Sequence, residues 1–221
     1  MFVGLQNHTA MGSNTRGFLD STNRVEDMIL YSQQLGHRGI AFTDHDCITA
    51  HMDALDCLKA LRDPGSDYYK NQTPDFSPDD WQKFKVILGN EIYLCSRTQI
   101  QEDKLYKFWH FILLAKDEVG HQQIRELSTR AWTDNSFTWV NIRTPTFYDD
   151  LFEVVEGNRG HLMASSACLG SFPAHLALNA YAENPENPNL TELTKWLRRM
   201  DQCFGHGNFF LEMQPSVQED Q

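Results

Sequence analysis

Five stretches of the sequence place side chains that bind metals or move protons directly after, or inside, short apolar runs. Gln6-Asn7-His8 follows Phe2-Val3-Gly4-Leu5, and Thr43-Asp44-His45-Asp46 follows Gly39-Ile40-Ala41-Phe42. Asn90-Glu91 follows Val86-Ile87-Leu88-Gly89, His110 lies among Phe108, Trp109, Phe111 and Ile112, and Cys168 closes the stretch that begins His161-Leu162-Met163-Ala164. Imidazole, carboxylate and thiolate together suit borderline divalent ions, zinc above all, with manganese or iron where carboxylate and imidazole dominate. A metal cluster of that make-up could activate water and offset phosphate charge. Each residue also has an ordinary structural reading. His8 could be an exposed residue near the N-terminus, Glu91 a solvent-facing strand position, His110 a satisfied core histidine and Cys168 a small buried filler. Asp44-His45 is the better signal, because a charged pair beside a core is costly without a purpose. Cys47, Cys57, Cys95 and Cys203 have no metal-ligand spacing and read as structural. His37, His51, His121, His161, His175 and His206 fall mainly in helices or turns and read as surface residues.

The elements that must position these groups alternate. Strands are expected at 2–5, 39–43, 86–94, 108–115, 161–166 and 208–213. Helices are expected at 25–35, 49–61, 118–132, 147–155, 173–180 and 190–204. In the first helix Val25, Met28 and Ile29 fall at helical spacing, with Asn23 and Glu26 as a capping box and Gly36 as the stop. In the second, Met52, Leu55, Leu58 and Leu61 form the apolar face. Residues 63–80, with Pro64, Gly65, Pro74 and Pro78, read as a loop or irregular insertion. Strand and helix alternation with buried strands implies a parallel α/β domain with right-handed connections. A barrel of βα units is the first choice and an open doubly wound sheet the second. In a barrel, chemistry gathers at the C-terminal ends of strands, which is where the candidate ligands fall.

Composition narrows the function. The chain has 221 residues, 41% hydrophobic and 22% charged, which is ordinary globular usage. Lys plus Arg number 19 against 30 Asp plus Glu, a formal net charge of −11. So acidic a chain is a poor candidate for wrapping nucleic acid, which relies on basic side chains neutralising phosphates. It could still act on one phosphate ester if metal ions supply the positive charge. No apolar run reaches membrane-spanning length and the first ten residues carry no secretory pattern. With five cysteines and no C-x-x-C pair, the expectation is a cytoplasmic protein with free thiols and no membrane contact.

The order of the motifs is more specific than any one of them. Phe2-Val3-Gly4-Leu5-Gln6-Asn7-His8-Thr9, Leu19-Asp20-Ser21, Ile40-Ala41-Phe42-Thr43-Asp44-His45 and Gly89-Asn90-Glu91-Ile92-Tyr93 run in sequence. His110-Phe111-Ile112-Leu113-Leu114-Ala115-Lys116, Ala164-Ser165-Ser166-Ala167-Cys168-Leu169 and Asn208-Phe209-Phe210-Leu211-Glu212-Met213-Gln214 follow. Along nearly the whole chain this set resembles the N-terminal polymerase-and-histidinol-phosphatase (PHP) domain of bacterial or phage DNA polymerase III α subunits. The resemblance implies a distorted, TIM-like βα barrel and a trinuclear site for divalent metal ions (Zn, Mn or Fe). Carried over by position, His8, Asp20, His45, Glu91, His110 and Cys168 are the metal ligands, with Asp44 beside His45 as a supporting neighbour. Glu91 corresponds to the bridging carboxylate and Cys168 to a thiolate used by the polymerase branch.

The departures carry as much meaning. Active relatives read His-x-His in the first motif, and here Gln6 replaces the first imidazole, a much weaker ligand. The family's last motif, an Asp-x-His on a later strand, does not occur before Gln221. The expectation is therefore a single PHP domain over 1–221, incomplete at its C-terminal end, with an irregular insertion at about 63–84. Its implied duty within a replicative polymerase is mainly structural or partner-docking, toward the remainder of the polymerase chain or a proofreading subunit, with DNA held by other domains. The competing expectation is an active metal-dependent phosphoesterase, a 3′–5′ exonuclease or pyrophosphatase, in which hydrolysis depends on His45 and Glu91.

Overall fold

A computed structural model of the chain describes residues 2–17, 20–72, 76–102, 104, 106–138 and 142–214. Leu19 and Pro74, used above, lie outside the described residues. The chain divides into two compact units, Met1–Asn90 and Glu91–Gln221.

The first unit contains β1 (Val3–Gly4), α1 (Ala10–Arg16), α2 (Val25–Gln34), β2 (Gly39–Phe42), α3 (His51–Arg62), α4 (Asp67–Gln72), α5 (Pro78–Lys83) and the start of β3 (Lys85–Cys95). The strands pair in parallel, β1 with β2 and β2 with β3, in the register Ile40↔Val86 and Phe42↔Leu88. All four residues of β2 are buried, as a continuous apolar run between covered faces requires. Val25, Ile29 and Ser32 form the inward stripe of α2. The chain leaves that helix through Gly36, whose φ of 75° lies in the left-handed region open to glycine. The expected capping box does not form: the N-cap is Arg24, without a side-chain cap. Asn23 is instead engaged with the loop before it, where its side chain donates to the His8 carbonyl.

Two further expectations are corrected here. In α3 the inward residues are His51, Ala54, Cys57, Leu58 and Leu61, whereas Met52 and Leu55 are exposed. The buried positions 51, 54, 58 and 61 follow the 3.6-residue stripe of a helix, from which strict three-residue spacing starting at Met52 drifts away. His51 is a core residue, its Nε2 2.8 Å from the Gly89 carbonyl oxygen. The supposed insertion also folds. Ser77 and Asp80 form a capping box and Pro78 starts α5, where a missing N–H costs nothing. Trp81 and Phe84 from this segment sit in the core with Ile29, Phe42 and Leu61. Arg62 donates to the carbonyls of Trp81 and Phe84 and ties the segment down.

The second unit holds the end of β3, α6 (Arg97–Gln101), β4 (Trp109–Ala115), α7 (Glu118–Thr133), β5 (Phe137–Thr138), β6 (Ile142–Arg143), β7 (Thr146–Phe147), α8 (Tyr148–Glu156), β8 (Leu162–Ser165), α9 (Phe172–Glu183), α10 (Thr191–Phe204) and β9 (Phe209–Phe210). The end of β3 pairs with β7 in parallel, β8 pairs with β9 in parallel, and β5 with β6 makes a small antiparallel ribbon. β4 and β8 run antiparallel, Leu113 opposite Ala164, against the expectation of a purely parallel sheet. A fully buried run such as Phe111–Leu114 reports that both faces are covered and carries no information on direction. Phe111 stacks between Phe204 and Phe209, which seats α10 and β9 against β4. The last strand is two residues long, shorter than expected.

Asp117 caps α7 by accepting the Gly120 N–H at 3.0 Å and pairs with His161 Nδ1 at 2.7 Å.

Two predictions follow from this packing. Leu61→Ala should cost about 2–5 kcal/mol in denaturant unfolding, while Met52→Ala should stay within about 0.5 kcal/mol. A cost for Met52→Ala comparable to that of Leu61→Ala would restore the face expected from the sequence. The hydrogen bond to His161, then that from Gly120, holds the Asp117 carboxyl below its ordinary value of 3.8. Its stabilisation is therefore complete above that value and disappears as pH falls through the lowered one. Asp117→Ala should lower Tm by roughly 2–4 °C at neutral pH, and the difference from wild type should narrow as pH falls through the lowered value.

Candidate metal centre

In the first unit the ends of β1 and β2 converge on two imidazoles and a carboxylate. His8 Nδ1 lies 2.6 Å from Asp20 Oδ2, and His45 Nε2 lies 3.8 Å from the same oxygen. The two rings meet edge to face with centroids 4.3 Å apart. One ligand atom from each of the three residues fits within 4.8 Å of the others, a spacing that one divalent ion can bridge. His45 is buried and Asp20 lies at the surface.

Backbone tethers set this geometry. Thr43 N–H donates to the Asn7 carbonyl at 2.9 Å, and Asn7 N–H donates to Thr43 Oγ1 at 2.8 Å. The Asn7 side chain donates to the Ala41 carbonyl. The loop after β1 is thereby strapped to β2, which fixes His8 against His45. Asp44 adds a second strap, accepting the Thr9 N–H at 2.6 Å and the Thr9 hydroxyl at 2.8 Å. Burial is the largest influence on Asp44 and raises its pKa, the Thr9 hydrogen bonds and the nearby His8 opposing it. Gly12 passes so close that a Cβ there would fall on the Asp44 carboxylate. Asp20 is presented by a turn gathered on Ser13 Oγ, which accepts the N–H groups of Asp20 and Ser21 at 3.0 and 2.6 Å.

The second unit brings together Glu91, His110 and Cys168. Glu91 is 0% exposed, so its carboxylate is a buried charge that needs a partner. His110 Nδ1 stands 2.6 Å from Glu91 Oε1 and 3.5 Å from Cys168 Sγ. Burial pulls the imidazole's pKa down, but hydrogen bonds with Cys168 and Glu91 outweigh it and push it up to about 10. The same contact with His110 lowers the Cys168 thiol against the effect of burial, and the Gly170 N–H assists. Tyr93 covers the His110 ring edge-on at 5.1 Å. Cys168 follows Ala167, a non-glycine residue at φ 56° whose side chain is buried.

The family model for the PHP domain matches residues 5–216. The chain belongs to the PHP domain family. The chain is 33% identical over 229 aligned residues to the probable DNA polymerase YorL of Bacillus subtilis (strain 168), covering 99% of this chain and 16% of that protein. The DNA-directed DNA polymerase of Bacillus phage SPbeta matches to the same extent. The DNA polymerase III subunit alpha of Borreliella burgdorferi is 26% identical over 206 residues, 92% of this chain and 15% of the relative. The chain thus spans about one sixth of the length of the curated relatives it matches.

The donor sets fit the metal ions that a PHP domain implies. Imidazole and carboxylate are grouped at ligand spacing in His8, Asp20 and His45, and in the second unit Glu91 and Cys168 both contact the His110 ring. All six residues expected from the sequence fall in one or the other cluster. Sequence reasoning missed the supports: Thr9, Ser13, Thr43 and Ser21 are small polar residues whose role depends on contacts many positions away. Thr9→Val should cost about 1–3 kcal/mol in equilibrium unfolding, because Asp44 loses a donor while remaining buried. Thr9→Ser, which keeps the hydroxyl, should stay near wild type.

Proposed function

We propose that this chain is the PHP-domain portion of a replicative DNA polymerase III α-type polymerase and that its main duty is structural support or partner docking. The observation that carries the reading is a match along 99% of the chain to polymerases in which it corresponds to 16% of the length. The partner is the remainder of the polymerase chain or a proofreading subunit. A net charge of −11 fits a domain that leaves DNA to basic parts of the larger assembly.

His8, Asp20, His45, Glu91, His110 and Cys168 hold divalent metal, with zinc favoured where the thiolate contributes and manganese or iron where imidazole and carboxylate dominate. Divalent ions bound there supply Lewis acidity and positive charge toward a phosphate ester. The chain's own groups do the positioning. Asp44 and Thr9 fix the loop of His8, and Glu91 orients His110. Gln6, a neutral side chain where active relatives carry an imidazole, weakens the set and favours the structural duty. A second reading, an active 3′–5′ exonuclease or pyrophosphatase, draws on the prebuilt clusters, with His45 and Glu91 as the groups on which hydrolysis depends.

Metal analysis after chelation and reloading with Mn²⁺ or Zn²⁺ separates the two. A partial or weak complement is expected, together with little release of nucleotides from DNA 3′ ends. Removing the metal with a chelator should lower Tm, since ligands that bind only the folded state stabilise it. A tight, full complement with vigorous Mn²⁺-dependent hydrolysis, lost in His45→Ala and Glu91→Ala, would overturn the structural reading in favour of the phosphoesterase.

A further inference from the structure

Glycine at position 170 is not explained by the backbone: Gly170 is not among the residues with positive φ. Space explains it. A Cβ at this position would stand 3.3 and 3.4 Å from Cδ2 and Cγ of the His110 ring and 3.5 Å from Cys168 Sγ. The ring has little freedom to give way, since Nδ1 is held at 2.6 Å by Glu91 and Tyr93 lies against it. The same residue uses both of its backbone groups on these two side chains' residues. Gly170 N–H donates to Cys168 Sγ at 3.3 Å, and the Gly170 carbonyl accepts the His110 N–H at 3.1 Å. The turn is closed by Ser171 N–H donating to the Cys168 carbonyl, and Ser171 then caps α9 through its hydroxyl. Gly170 is therefore locked to β4 on one side and to a helix start on the other.

We propose that Gly170 is a positioning residue for metal binding, holding the Cys168 sulfur and the His110 ring at the separation one ion requires. The proposal rests on His110 and Cys168 being ligands. An N–H donated to a thiolate disperses part of its charge and fixes the direction of its remaining lone pairs, as outer partners do for metal ligands. The absence of a side chain lets sulfur and ring approach the same point.

The test uses the full chain loaded with Co²⁺, whose bond to a thiolate gives a charge-transfer band in the near ultraviolet. Affinity is measured by competition with a chelator. Gly170→Ala should weaken Co²⁺ binding by about 10- to 100-fold and diminish or shift the band. Gly157→Ala is the control, since that glycine has open space around it and an ordinary φ of −68°. In a Cys168→Ser background the further loss from Gly170→Ala should shrink, as coupled neighbours require. Should Gly170→Ala fail to fold, wild type loaded with NMR-active cadmium decides: a scalar coupling between the metal and the Gly170 amide proton is expected across the N–H···S bond, and its absence overturns the proposal. No charge-transfer band in wild type would sink the ligand reading itself. A wild-type band and affinity left unchanged by Gly170→Ala would sink only the role of Gly170.

Discussion

A carboxylate with no exposed surface must be answered by positive charge, and Glu91 sets that requirement for the second unit. The answer comes from His110, on a strand so apolar that an ionisable group there has no other justification. Around this pair the local architecture is arranged to prevent drift. Tyr93 closes one side of the ring, Cys168 approaches Nδ1, and a turn held by a left-handed alanine brings the thiol in from β8. The contacts with Cys168 and Glu91 raise the imidazole's pKa against the effect of burial, and a divalent ion bound there would have to compete with that proton.

The first unit solves a related problem by different means. Its carboxylate at the ligand cluster, Asp20, lies at the surface, while the buried one, Asp44, takes no position between the rings. Asp44 serves as a clasp, with both oxygens spent on Thr9. The consequence is a division of labour between adjacent residues: Asp44 faces the loop it restrains and His45 faces Asp20. The Asp44-His45 dipeptide thus sets a support beside a candidate ligand.

Much of this was legible in the sequence because the candidate ligands sit at or within apolar runs, where charge is conspicuous. The bounds of α2, β2, α7, α8 and α10 fall within one residue of the expected ranges. What was hidden depended on partners far along the chain. Thr9, Ser13 and Thr43 resemble ordinary loop and strand residues until the contacts to Asp44, Ser21 and Asn7 are known. Strand direction was equally invisible: the buried run in β4 reads the same whether β8 lies parallel or antiparallel beside it. The face expected for α3 is half right, since three-residue spacing from Met52 drifts off the 3.6-residue stripe that buries His51, Ala54, Leu58 and Leu61. His51 was read as a surface residue because nothing nearby in sequence announces the Gly89 carbonyl it meets.

The segment around Trp81 shows what such misreading conceals. By composition it resembles a joint between better-defined parts, the kind of place where a protease cuts or an engineer trims. In the folded chain its indole is one of the largest wholly enclosed side chains, and Arg62 fastens the carbonyls of Trp81 and Phe84. Excising it would not shorten a tether but pull the keystone from the first unit's interior. Substitutions tolerated there are consequently governed by the shape of a cavity rather than by the permissiveness of a loop.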